Sequence, residues 1–190
     1  VAESKQRMKQ DYLARLMMQR SQSRLIWLDE RPVHGSGYEE LDPSLYRKFL
    51  REEGQPERTQ LRKLRMLVED DEGNERLSVS GVLLGTPSPV NWLPNAYIQA
   101  VCYSGEERDA DQQIDAMDYN GPLDQQISGA LAFVEKNQRV AARKLLGRED
   151  IPQYSLTAIF EALVNAVAHR DYDIYGAHIR LHMFADRLVL

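Results

Sequence analysis

The stretch 155–172, Ser-Leu-Thr-Ala-Ile-Phe-Glu-Ala-Leu-Val-Asn-Ala-Val-Ala-His-Arg-Asp-Tyr, carries the best helical pattern in the chain and constrains what can be built around it. Leu156, Phe160, Leu163, Val164 and Val167 recur at intervals of three and four, so they form one apolar stripe that must lie against another element. Glu161, Asn165 and His169 form a second stripe. With an advance of about 100° per residue, each of these three drifts only about 40° from the last, on the side away from the apolar stripe. Ala158, Ala162, Ala166 and Ala168 flank them. Small neighbours beside an acid, an amide and an imidazole let a ligand come close, although alanine is equally the best helix filler. From spacing alone the polar stripe reads either as a ligand-facing edge or as the solvated face of an amphipathic helix.

Glu161-x-x-x-Asn165-Ala166 resembles the first signature of the Bergerat-type (GHKL-like) ATP-binding fold shared by gyrase, heat-shock protein 90, histidine kinases and the mismatch-repair ATPases. The continuation His169-Arg170-Asp171-Tyr172, with Gly176 and a strand pair ending Asp186-Arg187-Leu188, is more specific. It is similar to the RecG-carboxy-terminal-like ATPase family, commonly found behind a Schlafen/AlbA-like DNA-binding domain in bacterial and archaeal transcriptional regulators. The resemblance implies that Glu161 orients and deprotonates the attacking water, and that the side-chain oxygen of Asn165 binds a magnesium ion bridging the phosphates of ATP. It places His169, Arg170 and Asp171 near the nucleotide edge or in the loop that follows the helix. These residue types suit such chemistry, since a carboxylate accepts a proton and an amide oxygen is a hard, neutral ligand beside a charged nucleotide.

The departures from the wider superfamily are equally informative. Its Asp-x-Gly-x-Gly loop for adenine and its glycine-rich phosphate lid do not occur here, nor does the Gly-x-x-x-x-Gly-Lys-Ser/Thr loop of a helicase motor. Without an adenine contact or a lid, Glu161 and Asn165 are expected to bind nucleotide poorly, because phosphoryl chemistry depends on many positioned groups. ATP and magnesium are therefore expected of a complete, magnesium-dependent ATPase, and neither tight binding nor hydrolysis is expected of this chain.

Composition excludes several classes. At 190 residues, with 43% hydrophobic and 28% charged side chains, the chain is neither wholly disordered nor membrane-spanning. No run approaches the ~20 apolar residues needed to cross a bilayer, and the start has no signal-peptide core, so a cytoplasmic protein without membrane partners is expected. Cys102 is the sole cysteine, which excludes a disulfide framework or a cysteine zinc site. The net charge of −5 excludes a basic field over the whole molecule. Near the start, Lys5, Arg7, Lys9, Arg15, Arg20 and Arg24 outnumber Glu3 and Asp11, which suits either phosphate contact or a solvated helix face.

Taken in order, residues 5–20 read as an amphipathic helix on Met8, Tyr12, Leu13, Leu16 and Met17, and Leu25, Ile26, Trp27 and Leu28 as a short buried strand. By resemblance, 1–40 is the tail of a DNA-binding domain and its linker, so DNA contacts would be made mostly by a domain lying outside this chain. Asp42-Pro43 opens a helix that buries Leu45, Tyr46, Phe49 and Leu50 and stops at Gly54. Pro56 opens another, with Leu61, Leu64, Leu67 and Val68 inward, ending at the acidic run 69–73. That run lacks the spacing of a calcium loop and reads as a solvated turn. The run 80–85 is apolar and fits strand or helix. Residues 96–103 read as a strand covered on both faces, Ile114 to Asp118 as its return strand, and Gly121-Pro122 as the start of a helix burying Leu123, Ile127, Leu131 and Val134. Residues 139–152 are irregular or a small hairpin at Leu146-Gly147, and 177–190 a hairpin with Ile179, Leu181 and Met183 on one face. His178 and His182 have a spacing used for zinc on helices, but the glutamate of His-Glu-x-x-His is absent and the alternation favours a strand.

The expected architecture is mixed α/β (α+β): a helical first part, a small sheet with a covering helix, then the first helix and hairpin of a Bergerat-like sandwich. Three spans are expected: 1–40, a connecting region 41–150, and a truncated ATP-binding domain 151–190, since the sequence stops in mid-strand. The function expected is part of a transcriptional regulator or DNA-linked ATP-binding protein. The competing expectation is a nucleotide-independent interaction or homo-oligomerisation module whose ATPase-like helix only packs.

Overall fold

Asp42 starts the first helix as its side chain dictates. Its carboxylate accepts from the Ser44 N–H at 2.8 Å, and Pro43 sits in the first turn, where no N–H is needed. The structure is a computed structural model that describes residues 28–51, 55–144, 148–174 and 176–190. The expected helix 5–20, the strand residues Leu25, Ile26 and Trp27, and the stop at Gly54 lie outside them. Helix α1 (Pro43–Tyr46) is short and tightens at once into a 3-10 turn, Arg47–Phe49. Tyr46 is buried and its hydroxyl donates to Glu57, whereas Phe49, expected inside, is exposed. Three residues per turn instead of 3.6 rotate Phe49 off the buried face.

Helix α2 (Glu57–Lys63) buries Leu61 but ends sooner than the apolar spacing implies, and Leu64 is left exposed. Arg65 adopts φ 58, and the N–H groups of Arg65 and Met66 fold back to the carbonyls of Arg62 and Leu61. That left-handed stop releases Leu67 and Val68 into a strand. Strands β1 (Leu67–Glu69) and β2 (Glu75–Leu77) pair antiparallel, and the acidic run forms their turn. Asp70 accepts from the N–H groups of Glu72 and Asn74, while Gly73 supplies the left-handed residue at φ 81. The ambiguous apolar run becomes α3 (Val79–Gly85), capped by Ser78 Oγ accepting from the Gly81 N–H at 3.0 Å. Val33, Leu41, Tyr46, Leu61, Met66, Leu67, Leu77, Val79, Val82 and Leu83 close the amino-terminal core.

Beyond it stand β3 (Ile98–Tyr103), β4 (Gln113–Tyr119), α4 (Leu123–Asn137), the hairpin β5 (Val140–Lys144) and β6 (Arg148–Pro152), α5 (Leu156–Ala168), β7 (Ile179–Met183) and β8 (Leu188–Val189). The main sheet has the order β4-β3-β7-β8; β3 runs antiparallel to β4 and parallel to β7, and β8 returns antiparallel to β7. A parallel pair needs a long crossover, and α4, the hairpin and α5 lie within it. Ile98, Ala100 and Cys102 stand in register with Ile179, Leu181 and Met183, and Ala130, Phe133 and Val134 of α4 and Leu163 and Val167 of α5 pack on that face. The fold is therefore mixed α+β. The spans 41–150 and 151–190 meet in one sheet, and the two cores divide near Tyr97.

The cores are joined by α4. Leu123 packs against both, and Gln126, 2% exposed, donates from Nε2 to the carbonyls of Ala96 at 2.8 Å and Gly121 at 2.7 Å. Within the amino-terminal core the tightest approach is at Gly81, where a Cβ would lie 2.1 Å from the carbonyl oxygen of Met66. Alanine is the better helix former by about 1 kcal/mol, but here its methyl meets backbone that cannot step aside. Gly81→Ala should lower stability by about 1–3 kcal/mol in urea denaturation; an unchanged or raised midpoint would show that the β1–α3 contact yields.

Candidate functional site

Helix α5 begins at Ser155, whose Oγ accepts from the Ala158 N–H, and closes at His169, whose N–H reaches back to the carbonyls of Asn165 and Val167. Its inner face is made by Leu156, Ile159, Leu163 and Val167, with Leu163 fully buried. Phe160, expected in that stripe, is 47% exposed. The seam against the sheet follows the three-residue step from Leu156 to Ile159, which turns Phe160 outward beside Glu161.

Glu161, Asn165 and His169 are all exposed, on the side of α5 away from the buried face. The acid and the amide sit one turn apart, about 5–6 Å between Cβ atoms, so a single small ligand can touch both. Among the described residues neither side chain has a hydrogen-bond or ion-pair partner. Both are thus available to a ligand, and the helix holding them is fixed from behind.

Arg170 and Asp171 are engaged differently. Arg170 Nη2 donates to the carbonyl of Ala177, its guanidinium lies 4.6 Å from the ring centroid of Tyr172, and its Nη1 is buried with no partner among the described residues. Burial lowers the Arg170 pKa from the ordinary guanidinium value. The Asp171 carboxylate accepts from the Asp173 N–H at 3.0 Å, which shapes the turn. Tyr172 packs against the amino-terminal core and donates to the carbonyl of Val167 at 3.2 Å; burial pushes its hydroxyl up to about 12. Asp173 forms a forked ion pair with Arg31. Of the five residues singled out in the sequence, three therefore share an open face, while Arg170 and Asp171 belong to the turn behind it.

A second polar group surrounds the two histidines noted in the sequence, with partners that their spacing did not reveal. His178 stacks on Tyr97, with centroids 4.5 Å apart and planes at 16°, and its Nδ1 lies 3.1 Å from the Tyr97 hydroxyl. Its Nε2 accepts from Arg180 Nε at 3.2 Å. Farther along, in β7, His182 is 4% exposed, ringed by Tyr103 and Phe184, with Nδ1 buried and unpartnered among the described residues. The spacing pointed to the pair, and the alternation around β7 puts His178, Arg180 and His182 on one face. Four residues along a strand separate the two imidazoles by about 13 Å, too far to share one metal ion. Among the described residues no group of three histidine, cysteine or acidic side chains is placed to hold a metal.

No family model matches the chain, and no curated protein does. A solved structure does: the DIP2311 protein from Corynebacterium diphtheriae, at 20% identity and a TM-score of 0.55, over 89% of this chain and 33% of that one. The chain thus spans a third of that protein's length, and the likeness is one of fold. No helix among the described residues is long and apolar enough to cross a membrane.

Burial lowers the pKa of both His178 and His182, with Arg180 acting in the same direction on each and Arg108 also opposing a proton on His182. The folded chain then binds these protons less readily than the unfolded one. Their contribution to stability is complete above the unfolded value of about 6.5 and is lost as pH falls below it. The thermal midpoint should drop between about pH 7.5 and 5.5, and the His178→Gln/His182→Gln double variant should flatten that slope. An equal slope in the variant would assign the effect to other groups.

Proposed function

We propose that α5 presents the acid-and-amide half of a magnesium–nucleotide site in a DNA-linked, RecG-carboxy-terminal-like ATP-binding protein of the transcriptional-regulator type. The observation that carries this reading is the joint exposure of Glu161 and Asn165, one turn apart on a helix anchored from behind by Leu163 and Val167. In this reading the carboxylate accepts a proton from water and the amide oxygen binds the magnesium that bridges the phosphates. His169 stands on the same open face, at the end of the helix. Arg170 and Asp171 support the site by forming the turn behind it. DNA contact would come from a domain largely outside this chain, in a cytoplasmic protein.

Because this chain lacks an adenine loop and a phosphate lid, calorimetry with magnesium and ATP should show no tight binding. Micromolar affinity would contradict that expectation. In the complete protein, Glu161→Ala should cut ATP hydrolysis by roughly 10²-fold or more with unchanged folding, and Asn165→Ala should remove the magnesium dependence of binding. Hydrolysis and regulation that survive both substitutions would exclude the reading.

A second reading has its own support. Phe160 is 47% exposed beside Glu161, and Ile114 and Met117 of the edge strand β4 are 63% and 52% exposed. These apolar side chains suit a nucleotide-independent assembly or homo-oligomerisation module. Phe160→Ser and Ile114→Ser variants would then change the mass in light scattering, while Glu161→Ala would not.

A further inference from the structure

The turn 170–173 touches both cores, with contacts to α5, to the approach to β7 and to the segment at Arg31 that bonds to the start of α3. The Tyr172 ring packs against the amino-terminal core while its hydroxyl holds the carbonyl of Val167, which belongs to the carboxy-terminal core. Arg170 lies on the Tyr172 ring and bonds to Ala177, just before β7. Asp173 grips Arg31, whose own carbonyl accepts from Val79, the first residue of α3, at 3.0 Å; the adjacent Pro32 bridges to Ser78, the α3 cap. Asn165 and His169 belong to the same final turn of α5, joined by the His169 N–H to the Asn165 carbonyl.

We propose that this turn is a coupling strut: it passes displacement of the last turn of α5 through Tyr172 and the Arg31–Asp173 pair to α3 and the amino-terminal core. What α5 holds would thereby be felt in the other half of the chain. The proposal stands on contacts within the chain and does not require nucleotide, so it can fail or hold independently of the functional reading. Tyr172 and Asp173 act here as positioning residues.

Two local probes separate this strut from the α4 bridge. Cys102 is the sole cysteine and is 4% exposed, so its alkylation rate reports opening of the carboxy-terminal core. Amide hydrogen exchange of 79–85 reports the amino-terminal core. Leu163→Ala, beneath α5, should speed Cys102 alkylation at least about tenfold. In an otherwise unaltered chain it should speed exchange over 79–85 by a comparable factor. In a Tyr172→Ala/Asp173→Ala background the alkylation should still accelerate while exchange over 79–85 no longer responds to the change at Leu163. Should Leu163→Ala prevent folding, Val167→Ala delivers the same perturbation more gently. Tyr172→Phe, which keeps the ring but drops the bond to Val167, should fall between the two backgrounds. An equal response of 79–85 in both backgrounds would assign the coupling to α4 and overturn the proposal, as would no response in the unaltered chain.

Discussion

The parallel pairing of β3 with β7 organises the rest of the carboxy-terminal half. It joins Ile98 to Ile179 across 81 residues of chain, and everything between must return to the same sheet. Parallel strands cannot be closed by a tight turn, so the intervening chain supplies α4 and α5 as a cover. The side chains packed between the layers are small at Ala100 and Ala130 and bulky around them, at Phe133, Leu163, Leu181 and Met183. Burying these side chains fixes the rotation of α5 about its axis. The outward direction of Glu161 and Asn165 is therefore a by-product of where Leu163 and Val167 must point.

Local signals in the sequence were most legible where one residue decides the backbone. Asp42 caps a helix, the acidic run 69–73 is a turn, and the two-faced apolar run around Ala100 is a covered strand. They failed where tertiary contact outvoted the pattern. Leu67 and Val68 continue a helical spacing, yet Arg65 accepts a left-handed conformation that glycine would ordinarily mark, and both become strand. Phe160 and Ile159 are equally apolar, and only the approach of the sheet selects Ile159. The helical fate of the run containing Val82 and Leu83 depended on Ser78, a cap that sits outside the apolar window.

The candidate site shows the same division. The stripe of Glu161, Asn165 and His169 follows from helical geometry and was readable as such. The roles of Tyr172 and Asp173 were not, because the core that the Tyr172 ring meets is distant in sequence and Arg31 lies 142 residues from Asp173; Arg170 turns to the backbone of Ala177, which no side-chain pattern marks. An Arg-Asp-Tyr run reads equally as a charged ligand edge or as a folded turn, and the partly buried Tyr172 ring shows how the turn is packed. The imidazoles of His178 and His182 were visible as a spacing and an alternation, but the aromatic partners Tyr97 and Tyr103 come from the distant β3 segment, and only Phe184 lies beside His182 in sequence.

Among the described residues, strand β4 forms one border of the four-stranded sheet, with seven residues whose outward backbone groups meet no neighbouring strand. Such a border is a template on which another extended chain can grow, and its bare Ile114 and Met117 would encourage it. Asp111, Asp115 and Asp118 are spread along the same stretch. A like-charged copy laid against that rim would bring Asp111 and Asp118 towards carboxylates of its own kind, while Asp115 is already held by Lys136 and Asn137, and acids placed along a border in this way disfavour open-ended strand addition.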